Sequence, residues 1–129
     1  MEVIDMITLK ENMDKLELIS TLEDNWNLYG AKPIPKNLIK LVGNMLHKLS
    51  DQPEIFPTAS ETIQLEYNTE DGDYIEFEVL NELNVRCYVL DRYERQLNYN
   101  FKPENINEEY NKIIDFVNNG GKYAIHILL

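Results

Sequence analysis

The spacing of apolar residues changes in the middle of this chain, from a helical to a strand period, and this change constrains the fold more than any other feature. Through Leu49 the apolar residues recur every three or four positions, and after Pro57 they alternate. The helical spacing predicts two helices, near residues 9–23 and 35–49, and it returns over residues 104–118 to predict a third. The three stripes are Leu9, Met13, Leu16, Ile19 and Leu22; Leu38, Leu41, Val42, Met45, Leu46 and Leu49; and Ile106, Tyr110, Ile113, Ile114 and Val117.

Two local signals support the first pair of helices. Thr8 stands where an N-cap is needed and Glu11 follows three residues later, as in a capping box. Gly43 lies inside the second helix, where glycine costs roughly 1 kcal/mol relative to alanine. Such a glycine indicates close packing of the second helix against the first.

The alternating part of the sequence predicts four strands with short connections. They cover residues 62–68 and 73–80, then Val85 to Val89 and Leu97 to Phe101, and Asp71-Gly72 is a hairpin signal between the first two. Consecutive strands joined by short turns predict an antiparallel meander. The apolar tail, from Tyr123 to Leu129, also alternates and is a candidate fifth strand. Together these elements predict a single two-layer α+β domain over residues 1–129, with the helices covering one face of the sheet.

Charge narrows the range of partners. The 129 residues hold 12 Lys and Arg against 23 Asp and Glu, a formal net charge of -11. Between Lys48 and Arg86 there is no basic residue, whereas ten Asp and Glu fall there. A general nucleic-acid binder needs cations to displace phosphate counterions, and docking on anionic lipid needs them too. We therefore expect no direct nucleic-acid partner and no membrane partner.

Cysteine usage and the absence of known motifs limit the chemistry. Cys87 is the single cysteine and alternates with apolar neighbours, so no intramolecular disulfide forms and a buried small hydrophobic role is expected. The first residues lack the basic and apolar regions of a signal peptide, and no apolar run approaches a membrane span, so a cytoplasmic location is expected. No nucleophile triad, phosphate loop or dinucleotide glycine pattern occurs, so neither catalysis nor a bound cofactor or metal is expected.

Two regions are candidates for binding a partner. If the aliphatic residues of the strands face the helices, the opposite face carries acidic side chains from neighbouring strands together with two tyrosines. A loop between the first two helices adds two further aromatic residues. The predicted partner-binding residues are Glu66, Tyr74, Glu76, Glu78 and Tyr88 on the sheet, and Trp26 and Tyr29 in the loop. The alternatives are a merely solvated sheet face and a Trp26 that anchors the helix junction.

The loop and the first strands also resemble a group of small, mostly uncharacterised bacterial proteins. The matching segments are Asn25-Trp26-Asn27-Leu28-Tyr29-Gly30-Ala31-Lys32-Pro33-Ile34, Pro53-Glu54-Ile55-Phe56-Pro57-Thr58 and Ile63-Gln64-Leu65-Glu66-Tyr67. The pattern of that group has Asp-Gly where this chain has Asn27-Leu28, Gly-Gly at Glu61-Thr62, and tryptophan at Tyr67. The resemblance implies a stand-alone bacterial or mobile-element domain and carries no activity.

These observations predict a non-enzymatic acidic module that engages a basic surface of a protein partner. Immunity proteins, antitoxins and anti-defence inhibitors act in this way, and nucleic-acid mimicry is one version of the same idea. One alternative is a small metal-dependent hydrolase or nuclease that uses the sheet-face carboxylates. Another is a structural subunit that forms homo-oligomers through the tail from Tyr123 to Leu129.

Overall fold

A computed structural model describes residues 6–119 and shows an α+β fold of three helices and one antiparallel sheet. The helices are α1 (Leu9–Ser20), α2 (Lys36–Lys48) and α3 (Ile106–Asn118), and a 3-10 turn at Pro103–Asn105 leads into α3. The strands are β1 (Glu54–Pro57), β2 (Ile63–Asn68), β3 (Tyr74–Asn81), β4 (Asn84–Leu90) and β5 (Gln96–Phe101). The strand order in the sheet is the order along the chain.

The predicted meander is correct in topology and wrong in strand number. The sheet has five strands within the described residues because Glu54–Pro57 pairs with the strand that was predicted to be the first. This four-residue segment follows Pro53 and ends at Pro57. Ile55 is its one fully buried side chain, so the segment is too short to show an alternation of apolar and polar residues. Proline is tolerated there because β1 lies at an edge of the sheet. The strand predicted in the tail lies outside the described residues.

The core lies between the helices and one face of the sheet. Each strand contributes alternate residues to it, and the fully buried ones include Ile63, Phe77 and Val89. Cys87 is fully buried in this layer, and burial raises the pKa of its thiol to about 12. The cysteine therefore has the small hydrophobic role that its position in the sequence predicts.

The two predicted local signals of α1 and α2 are both confirmed. The Thr8 hydroxyl accepts a hydrogen bond from the backbone N–H of Glu11 at 3.1 Å, which caps α1. A Cβ placed on Gly43 would lie 3.4 Å from the Met13 side chain and 3.5 Å from that of Leu16. Helices α1 and α2 therefore pack against each other at Gly43, although a methyl group there would make only ordinary van der Waals contacts.

The contacts of α1 and α2 fix where the loop between them lies. Near the start of α1, the Asn12 side-chain amide donates to the Pro53 carbonyl at 2.9 Å. About one turn further along the helix, the Lys15 ammonium lies 4.4 Å from the Phe56 ring centroid. Helix α1 therefore runs in the direction of β1. At the start of α2, Asn37 donates to Glu82 in the β3–β4 turn at 3.2 Å. The loop accordingly lies at the end of the sheet that carries the β1–β2 and β3–β4 turns.

Candidate binding surface on the open face of the sheet

The side of the sheet that faces away from the core, called the open face below, carries the residues that alternate with the buried ones. The pairing register confirms that the predicted glutamates and tyrosines lie on it, together with the polar residues that alternate in the same phase. These are Gln64, Glu66, Asn68, Tyr74, Glu76, Glu78, Arg86, Tyr88, Gln96, Asn98 and Asn100. The predicted sheet residues therefore share one surface.

Three glutamates form a continuous line across this face. Glu54 of β1 is directly opposite Glu66 of β2, and Glu66 is directly opposite Glu76 of β3. Neighbouring strands lie about 4.8 Å apart, so the line is roughly 10 Å long and perpendicular to the strands. Within residues 6–119 none of these three carboxylates forms a salt bridge. We call Glu54, Glu66 and Glu76 the acidic row.

Glu54 was missed by the sequence analysis because β1 was not recognised as a strand. The apolar pair Ile55-Phe56 that follows Glu54 is the sequence signal that could have revealed the strand, since β-branched and aromatic residues favour strands. Adding β1 to the sheet turns a pair of glutamates into a row.

Glu78 differs from the acidic row although the sequence grouped it with Glu66 and Glu76. Its Oε1 accepts from the Arg86 guanidinium at 3.0 Å, and its Oε2 accepts from the Thr62 hydroxyl at 2.7 Å. The Glu78 side chain is only 14% exposed, against 56% for Arg86. The charge of Glu78 is therefore compensated inside the domain, and this glutamate contributes little to the field that a partner meets.

Two tyrosines border the acidic row. Tyr88 is directly opposite Glu76 on β4, and its ring centroid lies 6.3 Å from that of Tyr74. The Tyr74 hydroxyl donates to Glu76 Oε1 at 2.7 Å. Burial raises the pKa of Tyr74, and the neighbouring carboxylates of Glu76 and Glu66 raise it further. The phenol thus stays protonated, and it orients one carboxylate of the row.

The two loop residues predicted to bind a partner have different surroundings. The Trp26 ring is half-buried, and its Nε1 donates to the Lys32 carbonyl at 2.8 Å, so it braces the base of the loop. Tyr29 is 90% exposed and lies at the outer end of the same loop. Its neighbour Leu28, which the sequence analysis did not single out as a binding residue, is 82% exposed.

Residues 6–119 also bear on two other kinds of function, metal binding and insertion into a membrane. In residues 6–119 no group of three or more His, Cys, Asp and Glu side chains is arranged to hold a metal ion. Over the same residues, no helix has both the length and the apolar character needed to cross a membrane. Comparisons with protein-family models, curated proteins and solved structures give no match for this chain. The function is therefore argued from the geometry of the surface.

Proposed function

We propose that this chain is a non-catalytic binding protein whose open sheet face engages a basic surface on another protein. The observation that carries the proposal is the acidic row, in which Glu54, Glu66 and Glu76 stand in direct cross-strand register and form no salt bridge among the described residues. Tyr74 and Tyr88 lie beside the row and supply aromatic faces.

Such a row is unfavourable for an isolated sheet. Like charges directly opposite each other on adjacent strands destabilise a sheet, whereas opposite charges stabilise it. The neighbouring pair Glu78 and Arg86 shows the balanced arrangement on the same face. Lys or Arg side chains of a partner would remove the repulsion within the row, so part of the binding free energy would come from relieving it.

The same surface would also select and attract its partner. An uncompensated negative patch raises the association rate with a basic protein and repels acidic ones. The tyrosine rings next to the carboxylates can contact a bound guanidinium or ammonium through cation–π interactions. This is the behaviour of an antitoxin, an immunity protein or an anti-defence inhibitor, and a partner that itself binds nucleic acid would make the acidic row a mimic of phosphates.

The proposal is tested by affinity capture from cells of the source organism with three forms of the protein. One form carries Glu54→Gln, Glu66→Gln and Glu76→Gln. A control carries Glu→Gln at positions 17, 70 and 104, which are exposed, lie outside the strands and give the same net charge as the first variant. Because glutamine keeps the size and one acceptor oxygen of glutamate, both variants are expected to fold.

We expect the native protein and the control to retain the same basic partner and the variant of the acidic row to lose it. The interaction should weaken steadily as NaCl rises from about 50 to 500 mM, because salt screens exposed charges. A partner that the variant of the acidic row retains equally well, or one whose binding ignores salt, would contradict the proposal.

A further inference from the structure

The loop between α1 and α2 ends in two large apolar side chains that have almost no contact with the rest of the described chain. Leu28 is 82% exposed and Tyr29 is 90% exposed, and we call this pair the tip. The root of the loop is different, since Ala31 and Ile34 are each only 4% exposed. The loop is thus fixed to the core at its base and projects its apolar residues outward.

The loop is held in one conformation by its own polar groups. Asn27 Oδ1 accepts from the backbone N–H of Tyr29 at 2.9 Å and from that of Ala31 at 3.0 Å. Asn25 Oδ1 accepts a hydrogen bond from the backbone N–H of Gly30 at 2.7 Å. The backbone N–H of Asn25 donates to the Ala31 carbonyl, also at 2.7 Å. The tip is therefore presented on an ordered backbone, which lowers the entropy lost on binding.

Leucine at position 28 is unfavourable for the fold in two ways. Its φ is +67°, in the left-handed region where a side chain is sterically disfavoured and where glycine fits freely. Its apolar surface remains in water, so burial does not offset that cost. Asn25, Glu61 and Glu94 also have positive φ, but they are polar and exposed. Among residues 6–119, only Leu28 therefore combines the strained backbone with an unburied hydrophobic side chain.

We propose that the tip is a preformed hydrophobic contact that inserts into an apolar pocket of a protein partner. The assignment goes beyond the acidic row, because it depends on apolar burial and stands whether or not the open face binds anything. Large apolar and aromatic side chains that enter such pockets supply most of the binding energy of protein interfaces. A protein is favoured over a lipid surface because Asp24, next to the loop, and the net charge of -11 oppose anionic membranes, and membrane insertion does not need an ordered loop.

A photo-crosslinking experiment tests the tip in the cells that carry the protein. A benzophenone amino acid replaces Tyr29 in one variant and Tyr93 in a control, since Tyr93 is a 65% exposed tyrosine in the β4–β5 turn. Ultraviolet light should join the first variant to one other protein, and the added change Leu28→Ala should abolish that adduct. The absence of an adduct at position 29, identical adducts at both positions, or an adduct only with a second copy of this chain would each overturn the proposal.

The partner identified in this way is then titrated with purified variants in about 0.5 M NaCl, where contributions from exposed charges are small. Leu28→Ala and Tyr29→Ala should each weaken binding about 30-fold, as expected for central interface residues. Asn27→Ala keeps both tip residues but loosens the loop, and it should weaken binding about tenfold. Leu18→Ala, which removes a 68% exposed leucine on α1, should leave the affinity unchanged.

Equal affinities for the native protein and the two tip variants would overturn the proposal. So would binding of the native protein to phosphatidylglycerol–phosphatidylethanolamine vesicles that the change Tyr29→Ala removes, since that result would assign the tip to a membrane. Because the titration is done at high salt, loss of the tip contribution is distinguishable from loss of the acidic-row contribution.

Discussion

Replacing Glu66 by glutamine is expected to stabilise the fold, because Glu66 lies between two other glutamates of the acidic row. Its register partners are Glu54 on one side and Glu76 on the other, so a single substitution removes two like-charge pairs. Cross-strand pairs of this kind change stability by roughly 0.2–1 kcal/mol each, so removing two like-charge pairs should raise the free energy of unfolding by about 0.4–2 kcal/mol. Glu54→Gln removes one pair and should give about half that gain.

The assay is urea unfolding at low and at high salt, since urea is uncharged and leaves the ionic strength free to vary. The gain in unfolding free energy from Glu66→Gln should largely disappear in about 1 M NaCl, where the Debye length is roughly 3 Å. Glu104→Gln, an exposed change outside the sheet, controls for the altered net charge. Glu78→Gln should have the opposite sign, because it weakens the pairing with Arg86.

A Glu66→Gln variant that is less stable than the native protein, or that is stabilised no more than Glu104→Gln, would refute like-charge repulsion within the acidic row. An equal gain at both salt concentrations would also contradict the repulsion, because Glu54 is exposed and Glu66 and Glu76 are half-buried, so salt should screen their charges. Either result would mean that the acidic row is an ordinary solvated surface, and the proposed function would lose its physical basis.

Three further predictions concern single positions, each measured by urea unfolding followed by circular dichroism. Leu28→Gly should stabilise the fold by about 0.5–1 kcal/mol, because relief of the left-handed backbone exceeds the entropy cost of glycine, and a loss of stability would refute the strain. Gly43→Ala should be neutral or stabilising by up to about 1 kcal/mol, since the added methyl group makes ordinary van der Waals contacts with Met13 and Leu16, whereas a clear loss would mean that the helices pack too tightly to accept it. Asp73→Asn should cost about 2 kcal/mol at pH 7, because it breaks a pairing between a fully buried carboxylate and Arg92, whose side chain is 24% exposed. Burial alone would raise the pKa of Asp73, but hydrogen bonds from Arg92 lower it overall. The stability that the Asp73 carboxylate contributes is therefore present above the unfolded pKa near 4 and is lost as the pH falls through the folded pKa. A difference in stability between Asp73→Asn and the native protein that persists unchanged in acid would contradict this assignment.

The helices and the last four strands could be predicted from the sequence because their apolar residues keep one period over several turns or pairs. The first strand could not, because β1 is four residues long and ends in proline. A strand that short is defined by its hydrogen-bonded neighbour more than by its own composition. Its antiparallel pairing with β2, from Glu54 opposite Glu66 to Pro57 opposite Ile63, shows that the segment belongs to the sheet.

The residues of the candidate surface could likewise be predicted from the sequence only in part. Alternation alone assigned Glu66, Glu76, Tyr74 and Tyr88 to one face, since successive side chains on a strand point to opposite sides. It could not separate Glu78 from the other glutamates, because the compensation by Arg86 depends on which residues become neighbours across strands.

The sequence by itself determined the order of the helices and of the last four strands, the side of the sheet that is buried and the excess of negative charge. Those properties follow from local periodicity and composition, which need no knowledge of distant contacts. The tertiary structure decided which charges remain without a partner on the open face and that the loop projects Leu28 and Tyr29 into solvent. Both depend on pairing register and backbone conformation, which bring together or separate residues that the sequence alone cannot relate.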